Sequence, residues 1–281
     1  MKKFIFIVIA VVAPLMAQCD WNGDYNGDSE LNVVDVVGTV YEILNGTWEP
    51  SICGCTDPAA SNYNPNATID DCSCESADTI TDIDGNTYTS VTVCDQEWMV
   101  ENLATTHYNN GDPIPNITDY TWVNLTTGAY GDYNNDPANS STYGRLYNWF
   151  TLNDSRGIAP AGWHVPSDTE WQELVDCLGG SIAAGGPLKD TGTVEGGDGY
   201  WYAPNGGATN LCGFTGLPGG KRLNYNGLDY DLGNLGYFWT STLNASTTAW
   251  HRELYYYHTE VYHYGNTPLQ TGLSIRCIKD N

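Results

Sequence analysis

The sequence has few positively charged residues, and this scarcity excludes several classes of partner. Only 10 of the 281 residues are Lys or Arg, against 34 Asp or Glu, so the formal net charge is −24. A chain this acidic repels the phosphates of nucleic acids and the anionic surfaces of lipid bilayers, while it attracts cations. We therefore expect no nucleic-acid partner.

Long apolar runs are also missing beyond the first residues. Two lysines precede an apolar run from Phe4 to Met16, which has the length of a signal-peptide core and is too short to span a bilayer. The sequence predicts a signal peptide over residues 1–17, cleaved after Ala17. A lipoprotein signal ending at Cys19 and an uncleaved anchor are the alternatives. No second apolar run follows, so we expect no integral membrane segment and a secreted or outer-cell-surface location.

The composition of the mature chain is typical of an extracellular domain. Nine cysteines in an exported chain indicate disulfides, and the odd number leaves one of them without an intramolecular partner. Removing the two lysines of the signal peptide leaves eight basic residues against 34 acidic ones, a net charge of about −26. With 31 Gly, 20 Tyr and 10 Trp, the chain is typical of a loop-rich fold with an aromatic core and not of a disordered tail.

Residues 18–50 contain the spacing of a calcium loop. Oxygen-bearing side chains stand at positions 1, 3, 5, 9 and 12 of the segment 24–35, and Ca²⁺ takes six to eight oxygen ligands. The pattern resembles one calcium-binding repeat of a dockerin, although Ser29 replaces the usual turn glycine and no second repeat follows. A simple acidic turn before a helix is the alternative. The predicted ligands are Asp24, Asn26, Asp28, Glu30 (through its carbonyl) and Asp35.

Residues 51–76 form a second small unit rich in cysteine. The stretch CGCTDPAASNYNPNATIDDCSC at 53–74 resembles short modules found between the domains of bacterial surface proteins. Because so short a segment encloses little hydrophobic core, crosslinks have to supply its stability. Among three connectivities we predict nested pairs, Cys55 with Cys72 and Cys53 with Cys74. A four-cysteine zinc site is the alternative.

The remaining residues, 77–281, form the main domain, and one helix in it follows from local chemistry. Ser167 and Glu170 have the spacing of a capping box, in which each side chain bonds the backbone N–H of the other residue. Behind them an apolar face recurs every three to four residues, and two glycines provide the stop. The apolar face and the stop consist of Trp171, Leu174, Val175, Leu178, Gly179 and Gly180.

Seven motifs follow one another in fixed order along the main domain. They are DIDGNTY at 82–88, EWMVENL at 97–103, YGRLYNW at 143–149, GWHVPSDTEW at 162–171, LPGG at 217–220, FWTST at 238–242 and GLSIRCIKD at 272–280. In order and spacing they resemble the Fibrobacter succinogenes major paralogous domain family, over about residues 78–281. That family is similar to a branch of the C-type-lectin-like superfamily that includes formylglycine-generating enzymes. The resemblance implies an α+β domain with short antiparallel strands, one or two helices and long loops.

The resemblance also implies disulfides in the main domain. Lectin-like domains often join the helix to the last strand, and Cys177 and Cys277 stand in those two elements. Cys94 and Cys212 fall where the family has other residues, so we expect them to form an additional bridge. Cys19 is then left over.

Catalysis is not expected from the residues. Formylglycine-generating enzymes use a close pair of cysteines shortly before the terminal strand, whereas residues 249–272 contain no cysteine. His251 and His263 lie on predicted hairpin strands. A zinc site between them is one interpretation, and ordinary packing or surface roles are the other. We therefore predict that the domain is not an enzyme.

A binding role is the interpretation that the aromatic residues favour. Alternation along the predicted C-terminal strands sends neighbouring rings to opposite faces, and exposed rings beside polar groups bind sugars. Trp250, Tyr256 and Tyr262 are the candidate rings, with cross-strand packing as the alternative role. We predict a non-catalytic binding or adhesion protein for polysaccharide or another surface protein.

The other interpretations are a structural surface-coat component and an enzyme of the formylglycine-generating-like fold that lacks its cysteine pair. The oligomeric state stays open. In so acidic a chain we expect the arginines in or next to the family motifs to form structural ion pairs and not a recognition patch. These are Arg145, Arg222, Arg252 and Arg276.

Overall fold

The computed structural model describes residues 79–280 and, before them, residues 53–56, 58, 60, 63–67 and 69–70. The chain divides into two compact units, Met1–Cys74 and Glu75–Asn281. The predicted signal peptide, the calcium loop at 24–35 and the residues Cys19, Cys72 and Cys74 lie outside the described residues.

In the N-terminal unit a short parallel pair joins β1 (Cys53–Gly54) to β2 (Ile69–Asp70). Cys55 is buried and takes part in a disulfide. The nested pairing of the four cysteines stays a prediction, because Cys72 and Cys74 are not described.

The second unit is an α+β domain made mostly of short antiparallel strands, which confirms the predicted class at this level. Its strands are β3 Ile80–Thr81, β4 Thr87–Tyr88, β5 Ser90–Val93, β6 Gln96–Met99, β7 Tyr130–Gly131, β8 Leu146–Tyr147, β9 Trp163–His164, β10 Lys221–Arg222, β11 Asp229–Tyr230, β12 Leu235–Ala245, β13 Thr248–Tyr255, β14 Val261–Pro268 and β15 Ile278–Lys279. Its α-helices are α1 Pro137–Tyr143, α2 Trp149–Leu152, α3 Asp168–Cys177 and α4 Gly185–Leu188, and 3₁₀ turns span Tyr120–Asn124 and Tyr133–Asn135.

Helix α3 begins and ends as its sequence predicts. The Ser167 side chain accepts from the Glu170 N–H at 3.2 Å, and the Glu170 carboxylate accepts from the Ser167 N–H at 2.7 Å. Gly179 and Gly180 follow with φ of +93° and +85°, the left-handed region that glycine adopts at low cost. Trp171 on the buried face of the helix contacts the ring of Trp98, with 4.9 Å between centroids. The capping residues therefore set where the helix starts, and Trp171 fixes the face it buries.

Two sheets position the rest of the domain. A four-stranded sheet has the order β5-β6-β15-β9, so the last strand lies between β6 and β9. A three-stranded antiparallel sheet has the order β12-β13-β14. Phe238 of β12 packs on Trp171 of α3 at 5.5 Å between ring centroids, while its neighbours Tyr237 and Trp239 enter the main apolar core. The first part of β12, from Gly236 to Thr240, is therefore buried on both sides, whereas its end and strand β14 are more exposed.

The disulfide pairing expected from the lectin-like resemblance is wrong. Cys177 bonds Cys94, because the last residue of α3 lies beside the turn between β5 and β6. Cys277 lies in the core as a buried free thiol, and burial raises its pKa to about 12. Cys212 is buried as well, and its predicted bond to Cys94 is excluded by the Cys94–Cys177 crosslink. The bridge therefore fixes α3 to the β5–β6 hairpin and not to the terminal strand.

None of the helices in the described part of the chain has the length and apolar character needed to cross a bilayer.

Candidate functional site

Strand β14 is the edge of the three-stranded sheet, and its two faces carry different side chains. In the described residues it pairs with β13 alone, with Arg252 opposite His263 and His251 opposite Tyr264. Successive side chains on a strand point to opposite faces. One face, which we call the helix face because α3 packs against it, carries Trp250, Arg252 and His263. The other, the tyrosine face, carries His251, Glu253, Tyr262 and Tyr264.

On the helix face, one carboxylate oxygen holds two cationic or potentially cationic side chains. Oδ1 of Asp168, the first residue of α3, lies 2.8 Å from an Arg252 nitrogen and 2.8 Å from Nε2 of His263. Arg252 also donates to the Gln172 side chain at 3.1 Å, and it is buried. The Asp168 N–H is fixed in turn by the Thr242 hydroxyl at 3.0 Å. The carboxylate is therefore held on a rigid helix start against two strands.

The ring of Trp250 stands on this face beside His263. The two rings are stacked, with centroids 4.2 Å apart and planes 27° from parallel. Gly265 makes room for the indole, because a Cβ at this position would lie 2.8 Å from three of its ring atoms. Trp250 is half-buried, and among the described rings only His263 contacts it. One face of the indole is therefore free of aromatic contact.

The environment of His263 favours the neutral imidazole. Burial, and next the nearby Arg252 guanidinium, lower its pKa below the usual 6.5, while Asp168 raises it only in part. A neutral imidazole carries one N–H, and Nε2 at 2.8 Å from Asp168 is the nitrogen that donates. Nδ1 is then an acceptor, and it has no partner among residues 79–280. The histidine thus presents a lone pair beside the indole.

On the tyrosine face the rings cover one another. Tyr262 lies between His258, at 5.3 Å, and Tyr264, at 5.8 Å and stacked. Tyr264 in turn stacks on His251 at 5.8 Å. Tyr264 therefore has two stacked neighbours, Tyr262 and His251, whereas Tyr262 has one stacked neighbour and meets His258 edge-on, with its hydroxyl 3.1 Å from His258 Nε2. Cross-strand packing, the alternative role considered for these rings, accounts for this arrangement.

His251 is a satisfied structural residue. It is buried, its Nδ1 lies 2.7 Å from the Thr267 hydroxyl, and its Nε2 lies 2.9 Å from the Glu253 carboxylate. It points to the tyrosine face while His263 points to the helix face, so the zinc site between these two histidines is contradicted. No group of three or more metal-ligating side chains occurs in the described part of the chain.

The three candidate rings do not form one surface. Trp250 belongs to the helix face and Tyr262 to the tyrosine face. Tyr256 lies beyond the end of β13, half-buried between Tyr255 and Tyr257, with centroids at 5.1 and 6.0 Å. Sequence reasoning missed Asp168, although its place at the start of a predicted helix was known, because the contact with β14 is long-range.

Comparison with known proteins identifies the domain. The family model of the Fibrobacter succinogenes major domain matches residues 91–279. The chain belongs to this family. No curated protein and no solved structure gives a significant match. The matched range contains α3, the three-stranded sheet and therefore every residue of the helix face.

A second polar region of this Fibrobacter succinogenes major domain lies beside the capping box of α3. Nε2 of His164 lies 2.9 Å from Glu170, and Nδ1 lies 2.7 Å from Asp280. These carboxylates raise the pKa of His164 against the effect of burial, since two acceptors are satisfied only by a doubly protonated ring. The histidine borders an acidic cleft of about 430 Å³, whose lining includes Asp95, Glu97, Glu170, Glu173 and Asp280.

The arginines of the family motifs are structural, as expected. Arg222 pairs with Asp229 at 2.8 Å, and both side chains are almost fully buried. Arg145 pairs with Asp132, and Arg252 with Asp168. Arg276 differs, because it is buried without a carboxylate in contact and donates to backbone carbonyls and to Asn102. None of the four therefore lies free on the surface of the major domain.

Proposed function

We propose that this is an exported, non-catalytic binding protein whose major domain holds an extracellular polysaccharide on the helix face of its edge strand. The observation that carries the proposal is the half-buried Trp250 indole, which has one face free of aromatic contact beside polar groups held by α3. Indole faces pack well against the C–H faces of sugar rings, while neighbouring polar atoms bind the hydroxyls. A structural coat role does not call for such a site.

The wider lectin-like fold is part of the same proposal. The short antiparallel strands and the capped helix are in keeping with it, as is the insertion of β15 between β6 and β9. Binding in place of oxidation is supported by the sequence, since residues 249–272 contain no cysteine. The predicted signal peptide and the Cys94–Cys177 bridge support an oxidising, extracellular location.

The test compares rings on the two faces. Trp250→Ala should weaken polysaccharide binding by roughly 1–3 kcal/mol, because it removes the indole that the proposal places against the sugar, whereas Tyr262→Ala should leave binding nearly unchanged. A glycan screen followed by calorimetry on the mature chain measures this, with thermal melting on the same samples to exclude unfolding. Tyr120→Ala, which truncates a well-exposed ring outside both faces, is the control. Loss of binding in Tyr262→Ala but not in Trp250→Ala would place the site on the tyrosine face instead.

We also propose that the segment before the major domain binds calcium through Asp24, Asn26, Asp28, Glu30 and Asp35. The support is the oxygen spacing of the sequence. Calorimetry with CaCl₂ should detect a site in the mature chain that disappears in the double variant Asp24→Ala/Asp35→Ala. Identical titrations of the two proteins, or no binding by either, would reduce the segment to an acidic turn.

A further inference from the structure

We propose that three tyrosines, Tyr143, Tyr200 and Tyr202, form a second binding site for polysaccharide, which takes a chain without acidic groups and contacts it through their rings and hydroxyls. We call this group the loop platform, because two of its members lie in the loop between α4 and β10. The inference rests on the proposed function for the class of ligand, and it adds a site that is separate from the helix face.

Two rings of the loop platform flank a buried tryptophan. Residues 200–202 read Tyr-Trp-Tyr. The middle ring, Trp201, is fully buried, and its indole N–H donates to the Gly216 carbonyl at 3.0 Å. Tyr200 and Tyr202 on either side keep 43% and 40% of their surface exposed. The buried indole therefore anchors the segment while both neighbouring phenols stay at the surface.

Backbone contacts fix the segment that carries these rings. The Tyr202 N–H donates to the Gly233 carbonyl at 2.8 Å, and the Val194 N–H donates to the Trp201 carbonyl at 2.8 Å. A Cβ at Gly233 would lie 2.8, 3.0 and 3.1 Å from three atoms of the Tyr202 ring, so the absence of a side chain there lets the ring pack against the backbone. A ring held in place before the ligand arrives loses little freedom on binding.

Tyr143, the last residue of α1, extends the loop platform. Its half-buried ring lies 5.6 Å from that of Tyr200, with the planes at 75°. Burial raises the pKa of Tyr143, and the hydroxyls of Tyr200 and Tyr202 raise it further, so the three hydroxyls lie near one another. None of these hydroxyls has a hydrogen-bond partner among residues 79–280. Rings that pack against C–H groups, together with unoccupied hydroxyls that donate and accept, match the chemistry of a sugar.

The charge around the loop platform selects against acidic polysaccharides. Residues 190–205 include three acidic side chains, Asp190, Glu195 and Asp198, and no basic one. The Glu195 carboxylate accepts from the N–H of Ala203, next to Tyr202, at 2.8 Å. Lys189, which precedes the segment, is buried and donates to three backbone carbonyls. A uronic acid or sulfate group would therefore meet like charge without a free cation in this segment to offset it.

The loop platform and the helix face lie at different ends of the β12–β13 pair. Tyr202 contacts Gly233, just before β12, and the first residue of β12, Leu235, pairs with Tyr255 at the end of β13. Trp250 stands five positions before Tyr255 in the sequence, which corresponds to roughly 16 Å along a strand. Substitutions at one site therefore leave the other unchanged.

The test titrates the mature chain with two neutral hexasaccharides, cellohexaose and mannohexaose, and with their C6-oxidised counterparts, hexaglucuronate and hexamannuronate of the same linkage. Calorimetry measures the affinities. At least one neutral hexasaccharide should bind, and its acidic counterpart should bind at least tenfold more weakly. Equal binding of a neutral probe and its counterpart, or no binding by either neutral probe, overturns the proposal. In the second case the exposed rings would be assigned to a protein partner.

Two kinds of variant separate the rings from their hydroxyls. Tyr200→Ala and Tyr202→Ala should each weaken binding of the neutral hexasaccharide roughly tenfold. The double variant Tyr200→Phe/Tyr202→Phe keeps both rings and should melt like the wild type, because the two hydroxyls have no partner in the described part of the chain. It should still bind roughly tenfold more weakly, since two hydrogen bonds to the ligand are lost. Normal binding by this variant would contradict the role of the hydroxyls.

Tyr120→Ala is the matched control, since it truncates a tyrosine that is 64% exposed, and it should bind normally. Thermal melting of every variant checks the fold. If Trp250→Ala binds a neutral hexasaccharide normally while both alanine variants of the loop platform do not, the loop platform is the site and the helix face is not. The reverse result overturns this inference and leaves the proposed function standing. Weaker binding in all three variants supports both sites, and normal binding in all three excludes both.

Discussion

Replacing Cys94 and Cys177 together with serine should lower the free energy of unfolding of the major domain by about 4 kcal/mol. The crosslink joins residues 83 positions apart, and closing so long a loop in the unfolded chain removes much of its conformational entropy. Chemical denaturation of the wild type and the variant, followed by tryptophan fluorescence, measures the difference.

Cys277→Ser is the matched control. It removes a buried thiol from the same domain without cutting a crosslink, so its effect should be clearly smaller. Non-reducing peptide mapping should recover Cys94 and Cys177 in one linked fragment. Equal denaturation midpoints for the double variant and the wild type would show that the bridge does not stabilise the fold.

Replacing Arg276 with methionine should also destabilise the domain by about 4 kcal/mol or more. The guanidinium is fully buried and donates to Asn102 at 2.8 and 3.0 Å and to the Met99 carbonyl at 3.0 Å. It also donates to the Phe214 carbonyl and lies over the Phe214 ring at 4.5 Å. Methionine fills the space but leaves these acceptors buried without donors, each at a cost of about 1–3 kcal/mol.

Arg156→Met is the comparison that separates burial from charge. Arg156 also forms ion pairs, with Asp112 and Asp154, and it lies over the Tyr108 ring at 3.9 Å. Its partners are reached by solvent, so water replaces the lost contacts and the change in stability should be much smaller than for Arg276. Denaturation of the two variants side by side measures this, and similar losses would contradict the role assigned to buried acceptors.

Local patterns predicted the parts of this fold that local chemistry determines. The capping box, the apolar face and the glycine stop of α3 all lie within fourteen consecutive residues, 167–180, and the structure contains each of them. The turn between β3 and β4, inside the DIDGNTY motif, is equally local, since Asp82 accepts from the N–H groups of Asp84 and Asn86. Contacts between residues this close in the sequence depend little on the rest of the chain.

The prediction of the disulfide pairing was wrong because it depended on long-range contacts. The two bonded cysteines, Cys94 and Cys177, lie in elements that meet only in the folded domain. The lectin-like resemblance instead implied a bond from Cys177 to the terminal strand. Many of the strands are only two residues long, too short for an alternating pattern to be read in the sequence. Their positions depend on long-range pairs such as Ile278 with Trp98.

The candidate site also depends on long-range contacts that the sequence does not reveal. Alternation indicated that some aromatic rings of the hairpin would be exposed, but which face each ring occupies depends on register. The pairing of β13 with β14 shifts between Ala249 and His251, and such a bulge reverses the side to which later residues point. The carboxylate that completes the helix face, Asp168, comes from a helix 82 positions before Trp250.

The pairing of the Lys and Arg side chains within the domain affects how the protein behaves in solution. All Lys and Arg residues after Lys3 fall within the described range 79–280, and each has an acidic, carbonyl or amide partner there. These are Arg145, Arg156, Lys189, Lys221, Arg222, Arg252, Arg276 and Lys279. No unpaired Lys or Arg side chain is left in this range to offset the negative charge at the surface, so the domain behaves as a polyanion. Its copies should stay apart at 0.01 M salt, where charges act over about 30 Å, and approach freely at 0.15 M, where that range falls to about 8 Å.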